Sequence, residues 1–296
     1  MLQLKNLSKA FGKNVVLDNV SLNVNTGEIL GLVAPNGTGK TTLLNIIMNF
    51  LNPDEGQVFY DKLDYSSKKK EIKMRQHIAF LPEIDDLYQE LTGLEHINYY
   101  ARLWNGSTKE VSGIIDRLGM NHYVKNPVRT YSLGMRQRLC FAMIRATDTP
   151  VMLMDEVMNG LDPDNVKLLT DELIQLKEQG KMILIASHLL DNLDLYADKV
   201  LFLKDGSFTL ETLDLLDDYI KVKTTEEVYR SLQKEKTFPD GTQFIAKHLL
   251  CVPVKGMAPD TLGEWTSYFY KKGLSELTIG KIGSSEWYKE YYTQSE

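Results

Sequence analysis

The stretch that most constrains this chain runs from residue 28 to 48. Glu28-Ile29-Leu30-Gly31-Leu32-Val33 is a short apolar run. It passes through Ala34-Pro35-Asn36-Gly37-Thr38-Gly39-Lys40-Thr41 into Thr41-Thr42-Leu43-Leu44-Asn45-Ile46-Ile47-Met48, which reads as a helix. A short apolar run of this kind fits a strand buried on both faces. The loop carries the phosphate-binding pattern G-x-x-x-x-G-K-[ST], with Ala34 in place of the first glycine. In such a loop consecutive backbone N–H groups turn inward as an anion nest, and the following helix aims its positive end at the phosphates. Gly37 and Gly39 allow the close approach and positive φ this needs. Lys40 is expected to hold the β- and γ-phosphates as a mobile point charge, and the Thr41 hydroxyl to ligate Mg²⁺. Asn36, Gly37, Thr38, Gly39, Lys40, Thr41 and Thr42 are the expected nucleotide contacts. A chance Gly-Lys-Thr in a turn is the competing reading, and the strand-loop-helix setting weighs against it.

The rest of the chain alternates in the same style. Leu2 to Leu7 alternates apolar and polar residues, as a half-buried strand does, and Val15 to Val24 is β-rich. Gln57-Val58-Phe59-Tyr60, Ile78-Ala79-Phe80-Leu81, Val151-Met152-Leu153-Met154, Met182-Ile183-Leu184-Ile185 and Val200-Leu201-Phe202-Leu203 read as further strands, and Asn165 to Gln179 as a helix that stops before Gly180. This alternation implies an α/β fold with a mostly parallel sheet and helices on its faces. From about residue 88 to 146, apolar residues recur at helical spacing (Leu94, Ile97, Ala101; Ile114, Ile115, Leu118), so a helical insertion is expected. After about Leu210 the texture changes again. Residues 211–296 are rich in aromatics and read as a small α+β appendage: strand (Tyr219 to Lys223), helix (Glu226 to Leu232), strand (Phe244 to Val254), helix (Pro259 to Tyr270), strand (Leu277 to Ile282). Its aromatics are expected mainly as core.

A second chemical element closes the apolar run at Val151, which ends in Asp155-Glu156. Acids at the carboxyl end of a buried strand lie where α/β ligands bind. Asp155 suits Mg²⁺, directly or through water, and Glu156 suits polarisation of an attacking water. An isolated Asp-Glu would be a solvated strand end; the upstream phosphate loop favours chemistry.

Between the loop and the acids lies Tyr131-Ser132-Leu133-Gly134-Met135-Arg136-Gln137-Arg138-Leu139. This resembles the signature motif of ABC ATPases, Leu-Ser-Gly-Gly-Gln followed by a basic residue, Gln and Arg. The motif order is similar too: phosphate loop, signature, acid strand, Asn159-Gly160-Leu161-Asp162 in the manner of a D-loop, then Ile185-Ala186-Ser187-His188. The resemblance covers roughly residues 2 to 210. It implies a P-loop NTPase of ABC ATPase type with a helical insertion. It also implies ATP and Mg²⁺ as cofactors, and a head-to-tail dimer in which Ser132 and Gly134 of one copy cover the γ-phosphate held by the other. His188 is then expected at the γ-phosphate, Glu83 in the Q-loop position as a Mg²⁺ sensor or ligand, and Phe11 stacked on adenine. A core or turn aromatic remains the competing reading of Phe11. Departures from the family pattern are Ala34, Glu83 for Gln, Leu133 for Gly and Met135 for Gln. Leu-Pro-Glu and Tyr-Ser-Leu-Gly-Met strings are similar to those of drug and bacteriocin exporters, which is the ground for expecting export.

Composition sets the outer limits. The 296 residues carry a net charge of −6, which argues against nucleic acid as the main partner. Cys140 and Cys251 lack metal-ligand spacing and read as reduced thiols of a cytosolic protein. No basic stretch leads into an apolar one after Met1, so no secretory leader is expected, and no apolar run reaches the roughly 18 residues of a membrane span. The expected protein is a transporter ATPase at the inner face of the membrane, docked on a separate permease subunit, with residues 1–210 as ATPase and 211–296 as a regulatory or dimer-stabilising appendage. Two other readings stand beside it. A soluble ATPase of repair or ribosomal type would bring sustained heptads or a second cassette, and neither is present; intact Lys40, Asp155, Glu156 and His188 argue against a non-hydrolysing regulator.

Overall fold

The computed structural model describes every residue except Asn36, Asn105, 214–216 and 293–296. The chain divides into two compact units, Met1–Glu211 and Thr212–Glu296.

The first unit begins with β1 (Leu2–Phe11), β2 (Asn14–Val24), β3 (Glu28–Val33), α1 (Lys40–Ile47) and β4 (Glu55–Tyr60). Next come α2 (Lys68–His77), β5 (Ile78–Phe80), α3 (Gly93–Leu103), α4 (Val111–Arg117) and α5 (Leu133–Ala146). It ends with β6 (Val151–Asp155), α6 (Pro163–Glu178), β7 (Met182–Ala186), α7 (Leu190–Leu193), β8 (Lys199–Lys204) and β9 (Ser207–Thr212). Strands order as β5-β6-β7-β3-β8-β9, and the first five are mutually parallel. β3 and β7 are buried along their whole length, which is why their sequences are apolar without alternation. The edge strand β9 returns through Asp205-Gly206, both at positive φ, the geometry of a tight hairpin turn.

Not all strands join this sheet. β2, β1 and β4 form a separate three-stranded antiparallel sheet. The two residues between β1 and β2, with Gly12 at φ 62°, permit only an antiparallel return. The helical insertion is α3, α4 and α5. Thr92 and Glu95 form a reciprocal cap at the start of α3: Glu95 N donates to Thr92 Oγ1 at 3.2 Å and Thr92 N to Glu95 Oε2 at 2.7 Å. The helix α2 has no counterpart among the sequence expectations. Its segment is nearly all polar, and Met74 is its one fully buried side chain.

The second unit comprises β10 (Tyr219–Lys223), α8 (Glu226–Glu235), β11 (Gln243–Ile245), β12 (Leu249–Pro253), α9 (Pro259–Lys271), β13 (Leu277–Gly280) and α10 (Ser284–Tyr292). The antiparallel sheet orders as β11-β12-β10-β13, so the β-α-β-β-α-β succession is ferredoxin-like. Ile220, Val222, Leu250 and Val252 face Leu232 of α8 and Trp265 and Phe269 of α9. On the opposite face Ile245, Leu249 and Cys251 pack with Ile282, which precedes α10, and with Trp287 of α10. The single strand expected over Phe244 to Val254 is instead a hairpin. Ala246 and Lys247 both take positive φ there, a conformation that neither residue type advertises.

Candidate active site

Sheet register brings three loops to one edge. Leu32 of β3 and Asp155 of β6 both pair with Ala186 of β7, so the three strands end level. The segments that leave them are the phosphate loop, Glu156, and Ser187-His188. In the loop Gly37 and Gly39 take φ values of 79° and 118°. Gly39 caps α1, and a Cβ there would lie 2.4 Å from Val16 Cγ1, so both conformation and space demand glycine. Ala34 is buried and stays out of the left-handed region, which is why it can replace the first glycine without backbone strain. Thr38 Oγ1 donates to Pro35 O at 2.7 Å. The buried Lys40 ammonium arches back over the loop and donates to Ala34 O at 2.6 Å and Pro35 O at 3.4 Å. Thr42 is half-buried in the first turn of α1. Asn36 lies outside the described residues.

The carboxylates stand beside the loop. Thr41 Oγ1 donates to Asp155 Oδ2 at 3.2 Å. Burial, followed by the charge of Glu156, raises the pKa of Asp155; the Thr41 hydrogen bond and the Lys40 charge pull the other way, and Glu83 adds to the rise. Two hard oxygen donors, Thr41 Oγ1 and the Asp155 carboxylate, with Glu156 and Glu83 adding negative charge, fit a small divalent cation such as Mg²⁺. Glu156 has φ 52°, left-handed for a non-glycine residue. Its N–H donates to Ala186 O at 2.9 Å, and its Oε2 lies 2.7 Å from His188 Nδ1. Glu83, exposed at the start of a short 3-10 turn (Ile84–Asp86), helps line two cavities. One, of about 700 Å³, also touches Thr41; the other, of about 320 Å³, touches Asp155, Glu156, Asn159 and Leu133.

Three predicted residues sit apart from this cluster. Phe11 ends β1 with 52% of its surface exposed and Lys9 Nζ 5.6 Å from its ring centroid. Ser132 caps α5, its Oγ accepting from Met135 N at 3.3 Å, and Gly134 lies in the first turn. Neither Ser132 nor Gly134 lines the two cavities.

Gln137 and Arg138 belong to the signature string and carry no role expected from the sequence. Gln137 Nε2 donates to Val157 O at 2.7 Å and to Glu156 O at 3.3 Å. Arg138 Nε donates to Asn165 Oδ1, and Asn165 Nδ2 donates to Asp162 Oδ2 at 2.7 Å. The Asn165 hydrogen bonds hold the Asp162 carboxyl below its usual range. A signal for Gln137 was present: it is a polar residue on the same buried helix stripe as Cys140, Phe141 and Ile144.

Comparison with known proteins places these features. The family described as ABC transporter matches residues 17–159. YhcH of Bacillus subtilis (strain 168), an uncharacterized ABC transporter ATP-binding protein, is 34% identical over 208 residues, which is 70% of this chain and 68% of that protein. The lantibiotic transport ATP-binding protein SrtF of Streptococcus pyogenes is 29% identical over 211 residues, 71% of this chain and 90% of its own length. Among solved structures, the dimeric post-hydrolysis state of an ATP-binding cassette bound to ADP and Pi is 26% identical with a TM-score of 0.63, covering 72% of this chain and 99% of that one. The chain belongs to the ABC transporter family, as an ATP-binding subunit, and its first unit has the P-loop NTPase fold of ABC ATPases.

Proposed function

We propose that this chain hydrolyses ATP in a head-to-tail dimer, with a second copy or a paired ATPase subunit, and thereby drives export through a separate permease subunit. The observation that carries hydrolysis is the meeting of Thr41–Asp155 and Glu156–His188 at the level ends of β3, β6 and β7. The amides around Gly37 to Thr41 and the start of α1 bind the β- and γ-phosphates. Lys40 turns one of its three donors from the loop carbonyls to the phosphates. Thr41 and Asp155 would hold Mg²⁺, with Glu83 in reach of its water, and the ion supplies neutralisation of the charge on the phosphate oxygens. Glu156 takes a proton from the water whose oxygen bonds to the γ-phosphorus. The bond from that phosphorus to the β–γ bridging oxygen breaks, and the electron pair leaves with ADP. His188, whose Nδ1 lies 2.7 Å from Glu156 Oε2, pairs with that carboxylate by charge when protonated and leaves Nε2 for the γ-phosphate. The exposed ring of Phe11 stacks on adenine, and Ser132 and Gly134 of the second copy close over the γ-phosphate.

Coupling to a membrane subunit rests on the 700 Å³ groove. Phe50, Ile72, Leu103 and Trp104 give it apolar walls, while Thr41 and Glu83 tie it to the nucleotide site. A segment of the permease seated there would feel the state of the phosphates through Glu83. Among the described residues no helix is long and apolar enough to cross a membrane. Attachment through that subunit would hold the chain at the inner face of the membrane. A Nod factor export ATP-binding protein of Sinorhizobium fredii, 29% identical over 242 residues, supports export as the direction. The ferredoxin-like unit serves as a regulatory or dimer-stabilising element.

The test is Glu156→Gln. It keeps the shape and loses the base, so ATP binding survives, hydrolysis falls by about 10²-fold or more, and ATP holds the dimer together on gel filtration. Turnover equal to that of the parent would remove Glu156 from its role.

A further inference from the structure

Glu156 is held in its unfavourable backbone conformation from two sides. On the sheet side its N–H donates to Ala186 O at 2.9 Å; on the helix side its carbonyl accepts from Gln137 Nε2 at 3.3 Å. The same Gln137 amide makes its shorter bond, 2.7 Å, to Val157 O, the next carbonyl along. Asn159 N also donates to Glu156 O at 3.0 Å, closing the turn. A left-handed non-glycine residue persists only where its surroundings over-determine it, and Gln137 is the side chain that does so here. With 5% of its surface exposed, Gln137 is buried, and its amide donors are satisfied by those two carbonyls.

Gln137 also stands in a telling place on α5. Ser132 caps that helix, and Gln137 follows five residues later, about 7.5 Å along the axis at the helical rise. Ser132 and Gln137 belong to the same end of one helix, so a displacement of that end as a unit would reach, through the Gln137 amide, the backbone that carries the Glu156 carboxylate.

We propose that Gln137 is a positioning residue linking the two nucleotide sites of the dimer: when Ser132 and Gly134 close on ATP bound by the second copy, α5 shifts and Gln137 sets Glu156 of its own chain for attack. This rests on the shared-site reading of the preceding section and assigns a residue that reading leaves idle. Each copy then hydrolyses its own ATP fastest when the other site is filled.

The primary variant is Gln137→Met, which preserves volume and helix propensity and removes both donors. ATP affinity is expected to stay within about threefold of the parent, because the phosphate loop is untouched. The maximal rate falls about 10- to 100-fold, the cost of an ångström-scale misplacement of a reacting group. The Hill coefficient for ATP in hydrolysis falls towards one. A purely structural role would lower thermal stability and affinity together and leave the Hill coefficient where it was. Gln137→Glu provides an independent readout should the methionine variant fold poorly. Its ionised carboxylate cannot donate to two carbonyls, but its protonated form regains one donor. The ratio of its maximal rate to the parent's therefore rises as pH is lowered. Parental rate and Hill coefficient in Gln137→Met overturn the proposal, as does a flat Gln137→Glu ratio. An inert Glu156→Gln beside a fully active Gln137→Met defeats this inference alone; a fully active Glu156→Gln defeats the reading beneath it.

Discussion

Replacing Gly39 by alanine separates the conformational from the spatial demand that the phosphate loop makes on its last glycine. At φ 118° an L residue pays a backbone penalty of about 1–3 kcal/mol. The new Cβ would also lie 2.4 Å from Val16 Cγ1, 3.2 Å from Leu203 Cδ2 and 3.3 Å from Val16 O. The first contact is an outright overlap, and relieving it by shifting a packed strand costs about 1–3 kcal/mol more. Gly39→Ala should therefore destabilise by about 2–6 kcal/mol. Val16→Ala alone loses about 2 kcal/mol through two buried methyl equivalents. In the double variant the Cγ1 overlap disappears while the φ penalty stays. Its total loss should thus fall short of the summed single losses by about 1–3 kcal/mol. Urea unfolding of the four proteins measures this cycle, and titration with a fluorescent ATP analogue reports the loop. Nucleotide affinity should fall in Gly39→Ala and recover only in part in the double variant, since the strained φ keeps displacing the amide row. Strict additivity, or a Gly39→Ala protein as stable as its parent, would refute the steric reasoning.

Two further expectations come from buried charge. Glu172, 4% exposed at its side chain, lies between Arg145 Nε at 2.9 Å and Arg117 Nε at 3.2 Å, bridging α6 to both α5 and α4. Glu172→Gln leaves the buried Arg145 without its counter-charge and should cost about 3–5 kcal/mol in chemical unfolding, whereas Arg145→Leu with Glu172→Leu should be close to neutral; equal losses in the two proteins would contradict this. Because burial and Glu156 raise the Asp155 pKa, the folded state holds that proton more tightly than the unfolded chain does. Stability then declines as pH rises from the ordinary carboxylate range through the raised value, and the penalty is complete above it. Asp155→Asn should therefore stabilise the nucleotide-free protein at pH 7 while abolishing Mg²⁺-dependent hydrolysis, and melting curves at acidic and neutral pH would show the gain vanish on acidification; a loss of stability at pH 7 would overturn the assignment.

What was legible in the sequence follows from how each element is stabilised. β3 and β7 are buried on both faces, so their composition alone announces them, and the strand-loop-helix at residue 28 left few alternatives. The partition into two sheets was not legible, because pairing partners are chosen by connection length and tertiary packing. The helix α2 escaped because its segment offers only the Ser67 cap, the Glu71–Arg75 pair at 3.2 Å and one buried side chain, Met74, with little apolar stripe to read. The hairpin at Ala246-Lys247 escaped because its turn residues carry no glycine or asparagine. The C-terminal α10 was likewise unread: its aromatics Trp287, Tyr288, Tyr291 and Tyr292 register as composition, and their helical spacing becomes meaningful only once one face has a sheet to cover.

The site divides along a similar line. Motifs name the groups that do chemistry, since Lys40, Asp155 and Glu156 must be those residue types. They say nothing about what holds such groups in place, because any donor with the right reach can brace a backbone carbonyl. Gln137 is the instructive case. A glutamine in a helix is ordinarily a solvated residue, and its chemistry is recognisable only when Val157 and Glu156 are seen to turn their carbonyls towards it. Alignment of the strand ends had the same character: Leu32 and Asp155 lie far apart in the chain and become neighbours of one residue, Ala186, through register alone. Chemistry in this chain is thus written locally while its geometry is assembled over long range. That is why substitutions such as Gln137→Met are expected to change rate with little effect on the affinity that the local phosphate loop provides.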